Sequence, residues 1–334
     1  MAESQEKNYF GYVPYPEFKL GEPRFPQATF VGRWLHFLDV IDPRTLLTPE
    51  IKLRQSIQLL KEYKNGEVDR DSVSDKTLWE AQKIKQAIVH PDTGEKIFMP
   101  FRMAGFVPFG FVTVVGLLQP NLSLGGTVFW QWINQSHNAC VNYANRNASK
   151  PNPISRFLTG YAGAVTTAVG IATGLQVLIK RAQSFAPTTK MIVQRFVPVP
   201  AVSCASSFNV LLMRWHELTQ GIEVFDQNNE VIGTSKVAAK RAVRDTTITR
   251  AVLPMPIVSI PPVIMLALER TKFLKKYPQM HLPINSVVVI TCFALALPVA
   301  IALFPQVSRI DVSDLEPEIA ARTKEKTLFY NKGL

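Results

Sequence analysis

Six carboxamides crowd one short stretch of the chain: Gln131, Asn134, Gln135, Asn138, Asn142 and Asn145. At ~100° per residue on a helix, the four asparagines fall within about 80° of one another, with Gln131 and Gln135 at or near the same stripe. The opposite side carries Phe129, Trp132, Ile133, Cys140 and Tyr143. A carboxamide offers two donors and an acceptor without a charge, so a row of them can hold a carboxylate and an ammonium group while avoiding the cost of ions in lipid. That chemistry suits the path of a small polar metabolite. The alternative use of the same groups is to bind helices together, each bond contributing about 0.6 kcal/mol.

Other chemistry is poorly supplied. His90, Asp92 and Glu95 are spaced like metal ligands, but Pro91 and Gly94 make the segment a tight turn and no second ligand cluster accompanies it. His216-Glu217 lacks the second histidine four residues on that a zinc helix requires. Cys140, Cys204 and Cys292 lie inside apolar segments with no CxxC pair, which predicts buried thiols and no disulfide framework. No nucleophile-base pair or paired carboxylates appear, so neither an enzyme, a metal site nor a cofactor is expected.

The elements that position the amide stripe are read from where charge is missing. Asp, Glu, Lys and Arg are absent from 103–145, 157–179, 196–213, 251–268 and 277–308. A bilayer core ~30 Å thick needs ~20 apolar residues as helix, so these stretches predict an all-α polytopic membrane protein. About five spans are expected, at 103–118, 157–179, 196–213, 251–268 and 282–304, plus the Asn-rich helix 128–145, re-entrant or interfacial. The domains follow: an N-terminal helical region 1–102, a transmembrane domain 103–308 and a C-terminal tail 309–334.

The formal charge of +11 sits between the spans. Residues 1–102 hold fifteen basic and fifteen acidic residues and the tail five of each, whereas 146–156 carries +3, 180–195 +4 and 269–276 +3. Basic inter-span loops set orientation in a membrane, while a nucleic-acid binder would show one dense basic patch. With five spans the N-terminus lies on the positive-inside face; if helix 128–145 crosses as well, the loops 180–195 and 269–276 change sides and the rule becomes ambiguous.

Before the first span, a Pro- and aromatic-rich arm leads to a short amphipathic helix, Phe30 to Val40, placed at the membrane surface. Thr48 as N-cap with Pro49 at the first helical position opens a second helix, closed by Asn65-Gly66. A third begins at Thr77 with Glu80 as its capping-box partner and lines up Leu78, Ala81, Ile84 and Ile88. The first residues include Glu3 and Glu6 and lack an apolar h-region, so no cleavable signal is read there.

Within the membrane segments, Gly170-xxx-Gly174 predicts close helix contact. Pro254, Pro256, Pro261 and Pro262 predict either a broken helix beside a watery cavity or an ordinary kinked span. Ile222–Phe225 and Val231-Ile232 read as a hairpin, after which Thr234 or Ser235 caps a basic helix. Arg102, Arg146, Arg195, Arg214 and Arg250 stand at span ends, where they either attract an anion or anchor the interface.

Several long motifs carry a family resemblance. His90-Pro-Asp-Thr-Gly-Glu95, Phe101-Arg-Met103, Trp130-Gln-Trp and Asn134-Gln-Ser-His-Asn-Ala-Cys-Val-Asn-Tyr-Ala-Asn-Arg146 resemble the sideroflexin, or tricarboxylate carrier, family. The likeness extends to Asp39-Val-Ile-Asp-Pro-Arg44, Arg195-Phe-Val-Pro198 and Tyr330-Asn-Lys-Gly-Leu334, and is greatest to the sideroflexin five branch. It implies a mitochondrial inner-membrane protein of about five spans, with its N-terminus in the matrix and no cleaved presequence. It also implies transport of a small molecule, serine and other small amino acids in the family and citrate in this branch, without enzymatic chemistry. A competing expectation is a non-transporting scaffold that assists assembly of other inner-membrane complexes. No nucleic-acid partner is expected, and no protein partner is specified.

Overall fold

The computed structural model describes the chain apart from residues 1–9, 70–71, 92, 118, 120–121, 146–153, 182–197, 228–229 and 333–334. Arg146, Arg195, Asp92 and most of the basic loops 146–156 and 180–195 therefore lie outside the described residues. The described chain forms two compact units, residues 1–108 and 109–334.

The first unit contains three helices: α1 (Phe30–Val40), α2 (Glu50–Asn65) and α3 (Asp75–Ile88). Their apolar faces meet as the periodicity predicts, Leu53 and Leu60 of α2 facing Leu78, Ala81, Ile84 and Ile88 of α3. Gly66 ends α2 in the left-handed conformation (φ +75°) that glycine adopts without steric cost. Two helix starts differ from expectation. Pro49 itself is the N-cap of α2, and α3 begins at Asp75 because the hydroxyl of Ser74, not that of Thr77, accepts from a free backbone N–H.

The aromatic arm folds back onto these helices. Phe18 is 1% exposed and its N–H donates to Asp75 Oδ1 at 2.9 Å, while Trp79 Nε1 donates to Pro16 O at 2.8 Å. Helix α1 is used internally too. Phe37 and Arg33 are buried, and Asp39 pairs with Arg24 (2.6 Å) and with Lys83 of α3 (3.1 Å).

Among the described residues the longer helices of the second unit are α4 (Phe106–Leu117, which the unit boundary cuts), α5 (Leu124–Ala144), α6 (Ile154–Arg181), α7 (Pro198–Met213), α8 (Lys236–Val252), α9 (Pro254–Glu269) and α10 (His281–Ile301). Helix α6 packs on α5 and α7, α8 packs on α7, and α9 packs on α10 and α7. Among the described residues three helical runs are long and apolar enough to cross a membrane: Phe157–Leu178, Lys236–Glu269 and Pro278–Ile301. The protein is a multi-pass membrane protein. The stretches Met103–Leu117 and Val202–Met213 are apolar but shorter, and at ~1.5 Å per residue they reach only about 22 and 18 Å.

The four prolines do not break the helix they fall on. Pro254 occupies the first turn of α9, where an N–H would be orphaned anyway, and Pro261 and Pro262 sit inside a helix that continues to Glu269. Packing of α9 between α7, α8 and α10 holds the run together despite the missing donors. The predicted contact at Gly170 and Gly174 is also absent: among the described residues, no atom lies within 4 Å of a Cβ built at either. Helix α6 instead approaches α7 at Gly160 and Gly163, where such a Cβ would meet Met213 Sδ at 2.9 Å and Leu212 Cδ1 at 3.4 Å.

The fold is mostly helical but not all-α. Strands β1 (Ile222–Phe225) and β2 (Val231–Ser235) form the expected hairpin, and the C-terminal tail supplies β3 (Val307–Asp311) and β4 (Thr327–Asn331). The antiparallel sheet has the order β2-β1-β4-β3. One face buries Val224, Ile310, Leu328 and Tyr330 against Ala238 and Ala242 of α8 and Leu315 and Ile319 of the tail. Ser235 caps α8 by accepting from Ala238 N.

Candidate functional site

The amide stripe lies on a single helix, α5, begun by Ser123, which accepts from Gly126 N at 3.0 Å. Its six carboxamides divide by what they touch. Asn134 Oδ1 lies 2.8 Å from the hydroxyl of Thr113 on α4, which stands 2.8 Å from Gly110 O as well. Gln135 is buried and its Oε1 accepts from Asn209 Nδ2 of α7. Asn142 Oδ1 accepts from Arg250 Nη2 of α8 at 3.2 Å. Asn145 ends the helix and turns back, its Nδ2 donating to Val141 O at 2.7 Å. Gln131 and Asn138 are half-buried and have no hydrogen-bond partner among the described residues. Three of the amides thus reach three different helices, and two are left with unfilled donors and acceptors.

The arginines separate in the same way. Arg214 is neutralised: Nε and Nη2 form a fork onto both oxygens of Glu217 at 2.9 and 2.6 Å, and Nη1 donates to Thr246 of α8 at 2.8 Å. Arg250 lies near enough to Arg214 to be repelled by it. Among the described residues it has no carboxylate partner, only the carboxamide of Asn142. Arg102 belongs to the first unit, where its Nε donates to Ile97 O at 2.9 Å and burial pushes the guanidinium pKa down. It is not brought to the stripe within either unit. Arg146 and Arg195 fall outside the described residues.

Several polar groups along α5 were not anticipated. Thr113 and Asn209 are the partners of Asn134 and Gln135, and Ser136 Oγ lies 2.7 Å from Tyr161 Oη of α6. Ser203 of α7 is buried with its hydroxyl unpartnered among the described residues. His137 packs at the α4 backbone, its Cε1 3.5 Å from where a Cβ on Gly110 would stand. The signal for all of them was present as isolated polar residues inside charge-free stretches.

The segment from His90 to Glu95 is the turn its composition predicts: His90 N donates to Glu95 O at 2.8 Å, Gly94 has φ +70°, and Val89 bridges Lys96. Nδ1 of His90 accepts from Thr93 N. Among the described residues no group of three metal-ligating side chains converges anywhere.

Comparison with known proteins places this arrangement in one family. The sideroflexin family model matches residues 19–334. Sideroflexin-5 of Homo sapiens is 58% identical over 319 residues, covering 96% of this chain and 94% of that protein. Sideroflexin-5 of Caenorhabditis elegans is 57% identical over 330 residues, 98% of this chain and 99% of that one. Identity to Sideroflexin FSF1 of Saccharomyces cerevisiae is 39% over 328 residues, 96% and 99% of the two chains. No solved structure matches the chain. Matched over nearly its whole length and at identities well above those shared by chance, the chain belongs to the sideroflexin family.

Proposed function

We propose that this sideroflexin carries small carboxylate-bearing metabolites, citrate and related tricarboxylates or small amino acids, across the mitochondrial inner membrane. The observation that carries the reading is Arg250, a cation at the amide helix whose only hydrogen bond among the described residues is to the neutral Asn142. An arginine in a membrane protein normally finds a carboxylate, because a bare charge is costly there. A guanidinium resting on a carboxamide is instead free to take up an anionic group in its bidentate geometry. Asn138 and Gln131, with donors and acceptors left open by the described residues, supply uncharged contacts for the remainder of the substrate.

In this reading the chain crosses the bilayer five times with its N-terminus in the matrix, α4 and α7 serving as the two short crossings and α5 lying between them. Short helices are accommodated by local thinning of the bilayer at modest cost. The test is uptake of labelled citrate, serine and alanine into proteoliposomes holding the purified chain. Entry of none of them above protein-free vesicles overturns the proposal. The scaffold alternative makes the opposite mutational forecast: Asn134→Ala with Asn138→Ala leaves the cellular role intact, while deletion of 1–95 abolishes it.

A further inference from the structure

The first unit buries Phe18 and Phe25 of its aromatic arm and Phe37 of α1, leaves Phe10, Leu20, Phe30 and Leu38 partly in the open, and exposes one group of large apolar side chains most fully. Leu47 is 83% exposed, Ile51 71% and Phe98 67%, with Met99 beside them at 40%. They come from two segments that the ion pair between Glu50 and Lys96 holds side by side. Ile51 follows Glu50 and Leu47 lies three residues before it, while Phe98 and Met99 lie two and three residues after Lys96. Phe98 stacks edge-on against Phe101 at 5.3 Å, and its own neighbour Ile97 is anchored by a 2.9 Å bond to Ile88 O. The protruding side chains therefore stand on a fixed base.

Around them basic groups outnumber acidic ones. Arg44, Lys52, Arg54 and Lys96 are all exposed, against the exposed Glu50 and Glu95 and the buried Asp42, and Lys52 has no ion-pair partner among the described residues. Exposed large apolar side chains ringed by Lys and Arg suit the boundary between acyl chains and anionic headgroups. The chain leaves this patch directly into an apolar helix: four residues after Met99 begins the stretch Met103–Leu117. A bilayer surface is thus close to the patch by connectivity alone.

We propose that Leu47, Ile51 and Phe98 insert into the headgroup boundary of an anionic bilayer, with Lys52, Arg54 and Lys96 on lipid phosphates, so that the first unit rides on the membrane surface. The patch acts beside α1, which turns Phe37 and Arg33 inward and leaves Phe30 and Leu38 exposed. The proposal is independent of what the protein transports.

The test uses the full chain with its native cysteines. A photoreactive benzoylphenylalanine replaces Leu47, Ile51 or Phe98 one at a time, in nanodiscs of phosphatidylcholine and phosphatidylglycerol, and adducts are identified by mass. Val287, 63% exposed on the span α10, is the positive control, and Asn65, at the far end of α2 about 21 Å from Ile51, the negative one. Lipid adducts at the three patch positions approaching the Val287 yield, and few at Asn65, are expected. The yield should fall several-fold in the Lys52→Glu/Arg54→Glu protein. Adducts to protein alone, or patch yields no higher than at Asn65, overturn the proposal. A label at one position that prevents folding leaves the other two to decide it.

Discussion

Replacing Arg250 with glutamine removes the charge at the amide helix while keeping a side chain able to donate to Asn142 Oδ1. If Arg250 receives a substrate carboxylate, the loss is that of a hydrogen bond to a charged group, about 1.5–3 kcal/mol. At about 1.4 kcal/mol per decade, KM for citrate should rise roughly 10- to 150-fold. Alanine, with one carboxylate and an ammonium group that Arg250 repels, should lose less. Arg250→Lys keeps the charge but not the fork and should fall between. Arg214→Gln makes the needed contrast. That guanidinium is already matched by Glu217, so its removal leaves that carboxylate uncompensated where Arg214 stood and should weaken anion uptake indirectly. Restoring neutrality with Arg214→Gln/Glu217→Gln should recover much of the loss. The assay is initial uptake into proteoliposomes with protein content and thermal stability checked for each variant. A folded Arg250→Gln protein whose citrate KM stays within about twofold of the parent would refute the role given to this residue.

Four further outcomes follow from the packing. Asn138→Ala should lower transport without changing stability, since Asn138 bonds nothing among the described residues, whereas Gln135→Leu should lower stability by about 0.6 kcal/mol through the lost bond from Asn209; thermal melts in detergent separate the two. Gly160→Ala should destabilise the α6–α7 contact and Gly170→Ala should be neutral, read by the same melts. Truncation before Thr327 removes β4 from between β1 and β3, baring Val224 and Ile310, and should cause loss of folded protein during purification. In the first unit, burial alone would push the Asp42 carboxyl up, but hydrogen bonds from Arg44 and Lys83 outweigh it and hold the pKa well below the usual carboxylate range. The ionised form therefore stabilises the fold fully above ~3.9, the unfolded value, and this contribution is lost as pH falls toward the depressed folded value. Asp42→Asn should cost about 2 kcal/mol near neutral pH and flatten the acid limb of the stability profile.

How much could be read from residues alone depended on whether the deciding interaction was local. Helix α1 begins and ends where the Phe30 to Val40 pattern places it, and Gly66 stops α2, because caps and periodicity act within a few residues. Ser74 outcompeted Thr77 as a cap, a choice between neighbouring hydroxyls that sequence leaves nearly degenerate. The non-local features were hidden. Thr327–Asn331 is a charge-flanked five-residue segment whose partners lie in β1, about a hundred positions earlier, and in β3. Gly160 and Gly170 look alike along α6, and only the approach of α7 distinguishes them. At the site, the stripe itself was legible as a 3.6-residue repeat, but which amides are occupied was not, since Thr113, Asn209 and Arg250 arrive from three other segments.

That division of the stripe bears on how one helix can be both held and available. If every carboxamide were bonded to a neighbouring helix, a substrate would have to break those bonds to enter. If none were, α5 would be an unsatisfied polar face in an apolar bundle. Asn134 and Gln135 fix α5 to α4 and α7, and Asn142 holds Arg250 in place without neutralising it. Asn138 falls between Asn134 and Asn142 on the same face, one helical turn from each, so it is positioned by bonds it does not itself make. A double substitution tests this dependence: Asn134→Ala should impair transport more in the parent than in a protein already carrying Asn138→Ala, because its effect passes through the group that Asn138 supplies. Strict additivity of the two losses would mean that the amides act separately and that Asn138 does not owe its position to Asn134.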